Sequence, residues 1–171
     1  MSTTRTSSAL PITAAVVLAI TTFPAAPAFA DESGSSGRTL LSANLVGSMP
    51  APASPLVAGV APGGAPWVAG PSPVRVRQDG RMTVTVRRLV IPPPTLPNTN
   101  PVPSVVATLV CADMVKASTK PFALDMAGNG KTTDMIAVPA KCDAPVVLIQ
   151  PARNRTAYIA ATVGKAAPVR R

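Results

Sequence analysis

The chain predicts an all-β fold, an antiparallel β-sandwich (Ig-like or a partly closed barrel) of about seven to eight short strands with one disulfide. Three observations predict it. Apolar and polar residues alternate with a period of two across 39–47 and 74–86, as strands with one buried face require. Twenty-one prolines in 171 residues, many of them in 49–73 and 92–103, exclude helix from those stretches, because proline lacks an amide donor and fixes φ. No uninterrupted stretch of about ten residues carries helical spacing. Residues 105–117 come nearest, and their β-branched side chains lower helix propensity.

The first thirty residues read as a secretory signal. Arg5 precedes the apolar run 14–20, and Ala28-Phe29-Ala30 precedes cleavage after Ala30. The run is too short, and Pro11, Pro24 and Pro27 interrupt it too often, to cross roughly 30 Å of hydrocarbon with about 20 residues. The alternative is a signal retained as an anchor. Cleavage predicts a secreted, extracellular product with no transmembrane segment in the mature chain. Residues 31–37 form a flexible leader, small and polar. A single domain is expected at 38–164, and 165–171 is a basic C-terminal tail.

Within the domain, Leu41, Ala43 and Leu45 alternate with Ser42 and Asn44 in the first strand. The proline-rich stretch 49–73 follows, with short edge strands at 56–60 and 67–69 and Trp67 folding back over the core. The strongest local signal is the hairpin at 74–90. A two-residue turn at Asp79-Gly80 would set polar residues against apolar ones on both faces. A three-residue loop at 78–80, with Gly80 in the left-handed region, instead sets Val76 opposite Met82 and Val74 opposite Val84. Residues 105–111 are almost continuously apolar, as in a central strand covered on both faces. Further strands are expected at 122–126, 132–138, 146–150 and 157–162.

Cys111 and Cys142 are the two cysteines of the chain, and an oxidising compartment pairs them in a structural disulfide. Past Ala30 the chain has fifteen basic and seven acidic residues, a net charge of +8, which favours anionic partners. There is no histidine, so serine–histidine and cysteine–histidine catalysis and histidine-ligated zinc are excluded. Asp113, Asp125, Asp134 and Asp143 are the carboxylates left for a histidine-independent hydrolase. Single aspartates next to Gly, Ala or Asn are far more often turn formers that bond their own backbone. The chain is therefore not read as an enzyme, and no catalytic, cofactor-binding or metal residue is assigned.

Residues 125–132 end like a phosphate-binding loop, but the required first glycine is Asp125 and strand rather than helix follows. They fail as a calcium loop because Ala127 and Ile136 occupy ligand positions, which leaves only an irregular cation site on Asp125 and Asn129. Asn154-Arg155-Thr156 fits a glycosylation sequon. The constellation with the clearest chemistry is Arg75, Arg77, Arg81 and Arg87. In the register above they share one hairpin face with Thr83 and Thr85, and guanidinium forks suit phosphate or carboxylate polymers. The competing reading is a solvated outer face whose long side chains lie over apolar surface. Nucleic acid is disfavoured, because Trp67, Phe122 and Tyr158 are the only aromatic residues past Ala30, too few for stacking.

The runs VVATLVC, APVVLIQP and TAYIAA resemble those of small secreted bacterial proteins of an actinobacterial type, with a PVVLI-type strand followed by a YIAA-type final strand. The likeness covers roughly 41–163, implies a one-domain export product and transfers no activity. LLSANLVGSMPAP is similar to the first strand of chordin-like CHRD domains, whose histidine-containing motif is absent here. These readings together predict a secreted, non-enzymatic domain with a binding or structural role at or outside the cell envelope. Its expected partner is an anionic envelope polymer or a protein. A secreted protease inhibitor presenting a proline-braced loop, 49–73 or 92–103, is the alternative, and a small hydrolase the third.

Overall fold

In the computed structural model, which describes residues 37–162, the hairpin forms in the register that its alternation demands. The signal expected at 1–30, the expected leader up to residue 36 and the tail expected at 165–171 lie outside the described residues. β3 (Pro73–Arg77) and β4 (Arg81–Val86) pair antiparallel with Val76 opposite Met82 and Val74 opposite Val84. Gly80 has a φ of 92°, and a Cβ there would run into the Ile136 carbonyl oxygen. Both the turn and the close approach of the Ile136 backbone therefore need glycine.

The other strands are β1 (Thr39–Gly47), β2 (Ala61–Pro62), β5 (Ser104–Cys111), β6 (Met114–Ser118), β7 (Phe122–Ala123), β8 (Gly130–Met135), β9 (Val146–Pro151), β10 (Ala157–Tyr158) and β11 (Ala160–Thr162). Nine of the eleven strands form one antiparallel sheet in the order β6-β5-β9-β11-β1-β3-β4-β8, with β7 also on β5. β10 and β2 form a small parallel pair. The sheet curls until its ends approach: β7 lies against β8, where Gly130 packs under the Ala123 carbonyl and an Asp134 carboxylate oxygen accepts the Lys120 amide at 2.7 Å. The antiparallel all-β fold thus takes the form of a curled half-barrel. The expected disulfide joins Cys111 and Cys142 across a Cα separation of 5.0 Å.

Leu41, Val74, Val76, Met82, Val84, Val105, Leu109 and Ile149 fill the interior, and Trp67 folds back from the proline-rich stretch to join them, as expected. Fully burying one such leucine or valine stabilises the fold by roughly 1.5–3 kcal/mol. A second cluster lies on the outer side of β5 and β9. There Val110, Leu148 and Tyr158 are covered by Val57, Ala58 and Val60. The proline-rich stretch is thus a cover over the outer side of Val110, in a strand whose residues from Val105 to Cys111 are all buried. Tyr158 pins it: its hydroxyl donates to the Pro55 carbonyl at 2.7 Å, and Ser48 Oγ donates to the Tyr158 carbonyl at 3.1 Å. Burial pushes the Tyr158 phenol above its ordinary pKa. Tyr158→Phe is expected to cost about 1 kcal/mol in denaturant unfolding. It should also speed proteolysis near Pro55 while leaving the hairpin protected.

Several boundaries differ from expectation, each for a local reason. β6 was not anticipated, because the turn before it is Ala112-Asp113, with φ values of 47° and 56°, and alanine does not signal such a turn. The strand expected at 122–126 ends at Ala123, since the Leu124 amide bonds the Pro103 carbonyl and Asp125 begins a turn. The strand expected at 132–138 occupies Gly130–Met135 instead. That at 157–162 breaks at Ile159, and β10 turns away to pair with β2. The edge strand expected at 56–60 is a tight reversal closed by mutual Val57 and Val60 hydrogen bonds, and that at 67–69 is a single bridge between Val68 and Val90.

Candidate anion-binding face

The outward side of β1, β3, β4 and β8 is a sheet surface on which polar residues stand in cross-strand rows. Ser42 is opposite Arg75, Arg75 is opposite Thr83, and Thr83 is opposite Thr133. The two threonine hydroxyls are 3.3 Å apart. The next row holds Asn44, Pro73, Thr85 and Lys131. On the other side of the first row, Arg77 is opposite Thr39, and Arg81 is opposite Met135. Ser42, Pro73, Arg75, Thr83 and Thr85 line a shallow depression in this surface.

All four arginines predicted for the face alternate outward, but they are not equivalent. Arg77 pairs with Asp79, Nε to Oδ2 at 3.2 Å, and is only about a third exposed. The other Asp79 oxygen accepts the Arg81 amide at 3.0 Å, so this carboxylate both closes the turn and offsets one guanidinium. Arg75, Arg81 and Arg87 are exposed. Arg87 lies one step beyond β4, where its amide donates to Ser72 Oγ at 2.9 Å and its carbonyl accepts the Gly70 amide at 2.7 Å. Lys131, opposite Thr85, is the cation that the sequence reading missed. Placing the strand at 132–138 left it outside, although Lys131, Thr133 and Met135 alternate in the sequence. None of the outward strand positions on this face carries a carboxylate.

The four aspartates considered for hydrolysis occupy separate structural posts. Asp113 sits in the turn between β5 and β6 with φ of 56°. Asp125 accepts the Asn129 amide at 2.8 Å and the Asn129 side-chain amide at 3.2 Å. Those bonds, the backbone one foremost, hold its pKa below the ordinary value, and they commit to each other the two residues considered for a cation site. Asp143 pairs with Lys141 at 3.3 Å on an exposed loop. Among the described residues no three acidic, histidine or cysteine side chains are grouped to hold a metal ion.

Asp134 bonds the Lys120 amide across the seam between the two ends of the sheet, and that bond holds its pKa low. A depressed carboxylate pKa contributes stability that is fully present above the unfolded value, about 3.9, and is lost as pH falls through the folded value. Acid melts should therefore show the native chain and Asp134→Asn separated by a constant amount above about pH 4 and converging as pH falls below it. Parallel curves throughout would show that the seam bond does not depend on ionisation.

Of the two proline-braced loops, 49–73 sets Val57, Ala58 and Val60 on the outer cluster and leaves Leu56 exposed, and in the other 92–98 fold into turns closed by the Ile91 amide bonding the Thr99 carbonyl at 3.0 Å. At the sequon, Asn154 Oδ1 accepts both the Thr156 amide and its hydroxyl, at 3.1 and 2.6 Å. No protein-family model matches the chain, and neither does any curated protein or solved structure.

Proposed function

We propose that the chain is an exported, non-enzymatic binding domain whose basic sheet face takes an anionic polymer at or outside the cell envelope. The observation that carries this reading is the projection of Arg75, Arg81, Arg87 and Lys131 from one side of a paired sheet, with the nearby Asp79 already engaged by Arg77. β3 and β4 are hydrogen-bonded on both sides, so the cations stand on a rigid support and lose little backbone freedom on binding. Guanidinium forks bond phosphate or carboxylate oxygens in pairs. Trp67, Phe122 and Tyr158 are all buried, so the described surface offers no aromatic ring for base or sugar stacking. The closed disulfide fits an oxidising compartment. No helix among the described residues is long and apolar enough to cross a membrane.

The test is retention of the chain on purified cell-envelope fractions across a salt gradient. Binding by the native chain is expected to weaken with salt. It should be lost when Arg75, Arg81, Arg87 and Lys131 are all changed to glutamine. Equal retention of both proteins, or of neither, overturns the reading.

A further inference from the structure

The cations of the basic face form a track with a repeat. Along β4 and just past it, the outward positions Arg81, Thr83, Thr85 and Arg87 recur at every second residue, about 6.8 Å apart. Arg75 stands beside Thr83 on the β3 side, and Lys131 stands beside Thr85 on the β8 side, each about 4.8 Å away across the sheet. A cation therefore occurs at every step along the strand: Arg81 on its axis, Arg75 to one side, Lys131 to the other, and Arg87 on the axis again. Between the two terminal arginines the axis carries threonine hydroxyls, and that of Thr83 is 3.3 Å from the Thr133 hydroxyl.

The geometry points to a linear phosphodiester polymer lying along β4, an inference that rests on the polyanion reading and narrows it. Phosphates joined through a three-carbon unit are separated by as many backbone bonds as two residues of polypeptide contain. Their extended repeat is therefore also about 7 Å. Each phosphate in turn meets one cation, and its non-bridging oxygens accept from the threonine hydroxyls between. The groups joining the phosphates need not be read, which suits a face without exposed aromatic rings. Inorganic polyphosphate packs its charges more densely than the track and leaves most of them unmatched. A uronate polymer offers planar carboxylates on a stiff chain whose repeat is set by its sugar rings.

The experiment is fluorescence anisotropy of the full exported chain with poly(glycerol phosphate) of about ten repeats, between about 50 and 200 mM salt. Polygalacturonate and inorganic polyphosphate of equal total charge are the comparisons. The phosphodiester polymer is expected to bind about tenfold more tightly than either. Its log–log salt slope should be about −2.8, the value for four phosphates neutralised on a single strand, and Arg75→Gln or Lys131→Gln should each reduce that slope by about 0.7. Thermal melts of both variants check that they fold. Equal affinity for all three polymers overturns the spacing argument and leaves the polyanion reading standing. Absence of salt-dependent binding to every polymer and to envelope fractions overturns both.

Discussion

Gly128→Ala is expected to destabilise the domain by about 2–4 kcal/mol, far more than a surface glycine warrants. Gly128 has a φ of 74°, and a Cβ on it would collide with the Leu89 backbone, whose amide bonds the Gly128 carbonyl at 3.0 Å. The left-handed backbone alone costs alanine about 1 kcal/mol. The remainder comes from the collision, because Leu89 is fully buried and its neighbours are tied down. Arg88 donates its amide to Asn129 Oδ1 at 3.1 Å, and the Asn100 amide bonds the Met126 carbonyl at 2.8 Å. Gly59 is the matched control, with φ of 76° and nothing within 4 Å of its would-be Cβ, so Gly59→Ala should cost only about 1 kcal/mol. Denaturant midpoints of the two variants decide the matter: equal losses would show that the contact between 88–89 and 128–129 yields easily.

That contact also shows what a single sequence can and cannot convey. The hairpin was legible down to its register because Val74, Val76, Met82, Val84 and Val86 leave a one-residue slip no way to keep a buried face. The disulfide was legible because the sequence holds two cysteines and an expected export signal. β6 was not, because a turn built on alanine and aspartate carries no glycine or asparagine signal, and Met114 and Val115 lie on an edge where burial does not enforce a pattern. The basic face was legible only in its hairpin half. Ser42 and Lys131 reach it through strand pairings between residues far apart in sequence, and no local periodicity specifies which strand becomes the neighbour of β4.

The arrangement separates the hairpin arginines of the proposed binding surface from the part of the fold that the disulfide braces. The face is built on β1, β3, β4 and β8, whereas Cys111 ends β5, three strands away from β1 along the sheet. The seam from Asp134 to Lys120 and the packing of Gly130 under Ala123 are where the two parts meet again. A disturbance at the cysteines therefore reaches Lys131 through β8 before it reaches the arginines of the hairpin.

Changing both Cys111 and Cys142 to alanine is accordingly expected to lower stability by about 3–4 kcal/mol, the chain-entropy value for a closed loop of roughly thirty residues. The loop that the bond closes includes β6, β7 and β8, and the stretch 136–145, which carries Cys142, contains no strand and is fastened by few bonds. One of them joins the Ala112 amide to the Asp143 carbonyl at 2.8 Å, and Val138 and Cys142 pack against the core. Without the bond, protease cleavage should appear first within 137–145. Lys131, the cation of the face nearest that stretch in the chain, should lose its contribution to polymer binding before Arg75 or Arg81 does. Reduction of the native chain, followed by unfolding and by salt-dependent binding, measures both effects on one sample. A stability loss below about 1 kcal/mol would mean that the backbone bond and apolar packing hold 136–145 without the cysteines.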